Sequence, residues 1–103
     1  MSPEINMKMI HAQGEILLAA ADSELIDREL REGILHLKVY PDFYGDTRVS
    51  EETFVSSLSL CTIANLVGKK VVEIAIREEY VDPGNVIFIE GVPHAQYAKM
   101  DDD

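Results

Sequence analysis

The sequence predicts an α+β fold: a single domain with a mixed sheet of about four strands and three helices packed mainly on one face. Three observations predict it. The chain has 103 residues, enough for one core and too few for two. Segments of alternating or unbroken apolar character interleave with segments of helical spacing. Gly, Pro, Asn and Asp cluster between them as turn signals. The domain is taken as residues 1–100, with an acidic disordered tail at 101–103.

Residues 5–11 alternate, with Ile5, Met7, Met9 and His11 on one face, which suits a half-buried strand. Gly14 supplies the positive φ of a tight hairpin turn. Residues 15–21 carry the apolar run Ile16 to Ala21, so this strand is expected to be central and covered on both faces. Asp22-Ser23 reads as an N-cap for a helix over 24–32, supported by the i,i+4 pairs Glu24/Arg28 and Asp27/Arg31 and ended by Gly33. Residues 34–40 alternate again as a third strand, reached by a crossover if it runs parallel to the second. A turn at 41–45 carries Phe43 and Tyr44.

Ser50 caps a longer helix whose Glu51 and Glu52 complement the helix dipole. Phe54, Leu58, Cys61 and Asn65 share one stripe of that helix, which Gly68 ends, although the run at 60–67 is so apolar that its second half could be extended instead. Residues 69–79 form a helix apolar over more than half its circumference, packed within the monomer or against a second subunit as a homodimer. Asp82-Pro83-Gly84-Asn85 is a turn, and 86–89 is a strand too apolar for an edge, expected beside the central strand.

The net charge of −10, from 19 acidic and 9 basic residues with the cations scattered, disfavours direct nucleic-acid binding. Cys61 stands alone, so no intrachain disulfide forms, and no apolar run approaches the ~20 residues that span a bilayer. A cytoplasmic setting is expected. No metal site, cofactor motif or catalytic grouping is recognisable, and the three histidines fall on different predicted elements.

What folding alone does not require is concentrated at 91–97, read as a loop beyond the last strand. Pro93, His94 and Gln96 are the candidate binding residues there, with Asn65 and Tyr44 beneath. The reading they favour is a non-enzymatic binding or adaptor protein engaging a protein partner through 91–97. The alternative is a small-molecule-binding protein or enzyme with His94 as acid or base.

The succession YGDTRVSEE at 44–52, IANLVG at 63–68, VDPGNVI at 81–87 and GVPHAQ at 91–96 resembles the archaeal proteins grouped as domain of unknown function 424. The resemblance covers nearly the whole chain. It implies a small single-domain archaeal cytoplasmic protein and carries no catalytic residue over to this sequence.

Overall fold

A computed structural model describes residues 4–45 and 47–99; the lead-in at 1–3 and the acidic tail read at 101–103 lie outside the described residues. Strand β1 (Ile5–Ala12) and strand β2 (Glu15–Asp22) form the expected hairpin, with Gln13 and Gly14 both at positive φ in the two-residue turn. β2 is central and buried on both faces. Leu18 and Ala20 enter one apolar cluster, while Ala19 and Ala21 enter another on the opposite side.

The helix expected at 24–32 does not form. A single 3-10 turn at Ser23–Leu25 is followed by strand β3 (Glu29–Glu32), which pairs antiparallel with β4 (Leu35–Lys38) in a separate two-stranded sheet. Exposed i,i+4 pairs contribute only ~0.3–0.5 kcal/mol each. They lose to burial of Leu30 and to two backbone bonds, from the Asp27 amide to Val39 and from the Val39 amide to Arg28, that bind the segment to the far end of the hairpin. The expected crossover into the 34–40 strand is therefore absent.

Residues Pro41–Tyr44 form a short helix, α1, and Thr47–Val49 form β5 against the start of β1. Helix α2 (Glu51–Leu60) begins at Ser50, whose Oγ accepts from the Thr53 amide. It ends at Cys61. The apolar run beyond is strand β6 (Ile63–Val67), parallel to β2, so the helix expected to run on to Gly68 stops at Leu60, the second half of 60–67 is extended, and Asn65 lies on a strand and not on the helical stripe. Ala64, Leu66 and Val67 are buried on the two faces of this strand, which suits a position inside the sheet.

Helix α3 (Lys69–Arg77) packs its Val71, Val72, Ile74 and Ala75 inside the monomer. A 3-10 turn at Pro83–Asn85 precedes β7 (Ile87–Ile89), and residues read as a loop form β8 (Val92–Ala98). The main sheet thus has six strands, ordered β5-β1-β2-β6-β8-β7, in place of about four. β8 is the strand inserted beside β6, and β7 is an edge, contrary to expectation.

Helices α2 and α3 cover one face of this sheet, where Phe54, Leu58, Val71 and Val72 meet Leu18, Ala20 and Leu66. The β3–β4 hairpin and α1 lie over the other, through Leu30, Val39 and Tyr44. Reciprocal bonds from the Arg31 amide to the Glu90 carboxylate and from the Glu90 amide to the Glu32 carboxylate, both 2.7 Å, tie the hairpin to the β7–β8 turn. No helix among the described residues is long and apolar enough to cross a membrane.

Candidate functional site at the outer edge of β8

The site begins with a proline in a strand. Pro93 has no N–H to donate toward β6, yet it is buried there. Its carbonyl accepts from the Gly68 amide at 2.9 Å, while the Gly68 carbonyl is already taken by the Val72 amide, the first bond of α3. The missing donor therefore leaves no acceptor unmet.

Gly68 itself is fixed by Asp22. The Asp22 carboxylate, 6% exposed at the end of β2, accepts from the Lys70 and Val71 amides at 3.0 Å each and so caps α3 from a neighbouring strand. Burial pushes the Asp22 carboxyl above the ordinary aspartate range, and the two amide bonds oppose that push.

β7 and β8 join through Glu90 and Gly91, both at positive φ. In a two-residue hairpin the flanking residues exchange both bonds and outward groups then alternate, so the backbone of Val92, His94, Gln96 and Ala98 faces the β7 side. The other side agrees, because Pro93 and Lys99 bond to Gly68 and Thr62 at the β6 side. β7 pairs only as far as Ile87 opposite His94. Beyond it the backbone N–H and C=O groups of Gln96 and Ala98 meet no protein partner among the described residues.

The side chains there form a built surface. Gln96 lies opposite Asn65, and its Nε2 donates to Asn65 Oδ1 at 2.9 Å. His94 lies opposite Val67 and Ile87 on the same face, half-buried, and burial holds its pKa below the ordinary histidine value. A depression of about 450 Å3 opens where β7 stops, lined by Asn85, Ile87, His94, Ala95 and Gln96. These lining residues bring no second titratable group to His94.

Three of the sequence-predicted residues, Asn65, His94 and Gln96, thus come together, and Pro93 supports them from the opposite face. Tyr44 does not join them. It sits on α1 over β1 and β2, 3% exposed, with its ring edge-on to Phe43 at 4.9 Å, and burial raises its pKa. Tyr97, between Gln96 and Ala98, turns to the helical face and packs edge-on to Tyr80 at 5.3 Å. Asn85 and Ile87 were missed, because a turn residue and a strand residue carry no separate mark of a shared depression.

The chain matches the family model described as Protein of unknown function (DUF424) over residues 10–100. Its fold is similar to that in the crystal structure of an uncharacterized conserved protein from Methanopyrus kandleri, at a TM-score of 0.75 and 14% identity over 96% of both chains. A comparison with curated proteins gives no match. The family match spans most of the chain, and the protein belongs to the DUF424 family.

Proposed function

We propose that this protein is a non-enzymatic adaptor that binds an extended segment of a partner protein as an added strand along the outer edge of β8. The observation that carries the reading is the half-covered strand: β7 shields Val92–His94, and the Gln96 and Ala98 backbone groups beyond it have no partner among the described residues. Strand addition satisfies such groups, and pockets beside the edge select alternate side chains. The depression lined by Asn85, Ile87, His94 and Gln96 is a pocket of that kind. The net charge of −10 favours a partner segment that is basic, and it disfavours nucleic acid. A single buried thiol, Cys61, suits a reducing cytoplasm, in an archaeal cell by the family resemblance.

The acid–base alternative for His94 draws less support, since an imidazole acting alone lacks the orienting partner that general catalysis uses. Peptide selection from a random display library, followed by amide shift mapping, tests the reading. Selected ligands should be extended and should shift the Gln96 and Ala98 amides most. Ligands that perturb only the helical face would contradict it.

A further inference from the structure

The opposite end of the sheet carries a second half-covered strand. Among the described residues β5 pairs with Ile5–Met7 of β1 only, and no strand covers the edge of β1 from Met9 to Ala12. The two-residue turn at Gln13-Gly14 makes Ala12 and Glu15 the closing pair, which directs the backbone of Ile10 and Lys8 to β2 and that of Met9 and His11 outward. Consistent with that alternation, the Ser23 amide bonds to Glu4 on the β2 side. Among the described residues no backbone or side-chain group meets the outward N–H and C=O of Met9 and His11. An uncovered edge of this length, without proline, is what native sheets usually blunt.

An apolar row reaches this edge. Ile10, Leu17, Ile63 and Ala98 stand opposite one another across β1, β2, β6 and β8 and therefore on one face. Ile10 is 36% and Ile63 38% exposed.

We infer that a second copy of this chain pairs here, β1 against β1 and antiparallel, about a two-fold axis at Ile10. The edge is self-complementary in that register. Met9 stands opposite His11 of the other copy, so each pair exchanges both outward bonds, and the two Ile10 side chains meet in the closer, non-hydrogen-bonded pair on the axis. Lys8 stands opposite Ala12, which keeps like charges apart. The apolar row then runs unbroken through both copies. A depression of about 500 Å3 past the end of β5, lined by residues including Met7, Met9, Pro41, Asp42 and Thr47, leaves room for the approaching turn of the other copy. The contact is isologous and closed, so it stops at a dimer. It uses the edge remote from β8 and stands independently of the adaptor reading.

Sedimentation of the full chain tests it. His11 is exposed and its N–H points out, so proline is tolerated there in the monomer while blocking the pairing. The wild type should sediment as a dimer, and H11P and I10K as monomers with unchanged circular dichroism. I10C should form an intermolecular disulfide under mild oxidation, since axial strand pairs bring Cα atoms within disulfide range and Cys61 is buried. A wild-type monomer at the highest soluble concentration overturns the inference. So does a dimer that survives both H11P and I10K, or an I10C variant that does not cross-link.

Discussion

The carboxylate of Asp22 occupies the space where a side chain on Gly68 would stand. A Cβ built on Gly68 falls less than 3 Å from Asp22 Cγ and both its oxygens, and Gly68 holds φ at 120°. β2, β6 and α3 are locked together at this point. Gly68→Ala must meet both the clash and a backbone conformation that other residues avoid, and should destabilise by about 3 kcal/mol or more. Denaturant melts of the variant read this directly. A loss under about 1 kcal/mol, the size of an ordinary surface change, would show that the junction is looser than described.

Asp22 also sets a pH dependence. Its folded pKa lies above its unfolded one, so the folded state holds the proton more tightly. Its contribution is fully present below the ordinary aspartate pKa of about 4 and declines as pH rises through the folded value. Asp22→Asn can accept from only one of the Lys70 and Val71 amides and should cost about 1–3 kcal/mol. The difference between wild type and Asp22→Asn, measured in melts from pH 3 to 7, should shrink toward neutrality.

His94 titrates with the opposite consequence. Its folded pKa is depressed by burial, so its contribution is present above about 6.5 and is lost as pH falls below that value. Proton NMR should place its midpoint under that of an exposed histidine. His94→Gln should flatten wild-type stability between pH 5 and 7.

The Asn65–Gln96 bond, in contrast, is expected to matter little for folding. Gln96 is exposed, and the pair should be worth about 0.5–1 kcal/mol in a double-mutant cycle. Single alanine variants that lost ~2 kcal/mol or more would make the pair structural and weaken its reading as a ligand surface.

The sequence reading succeeds where one local rule decides. β1, its turn, the doubly buried β2 and the α2 cap at Ser50 follow from alternation, an unbroken apolar run and a side-chain oxygen. It fails where partners are distant. Asp22 has the chemistry of a cap, but the first amide it caps, that of Lys70 in α3, lies 48 residues on from it. The segment at 24–32 offers weak helical pairs that are overridden by contacts with Val39 and by Glu90. β8 was hidden because Gly91 and Pro93 are breakers in isolation. Only the pairing of Gly68 with both Pro93 and Val72 makes a proline acceptable in that strand. Asn65, His94 and Gln96 were legible as a group through their polarity among apolar neighbours, whereas the open backbone edge beside them follows from where β7 ends.

That edge is tested most directly by Gln96→Pro. The residue is exposed and its N–H points away from β6, so the substitution should leave the fold and its melting behaviour nearly intact while removing a donor that an added strand needs. Titration calorimetry with a peptide selected against the wild type should show affinity weakened at least about tenfold. Unchanged affinity in a folded Gln96→Pro variant would contradict strand addition at β8.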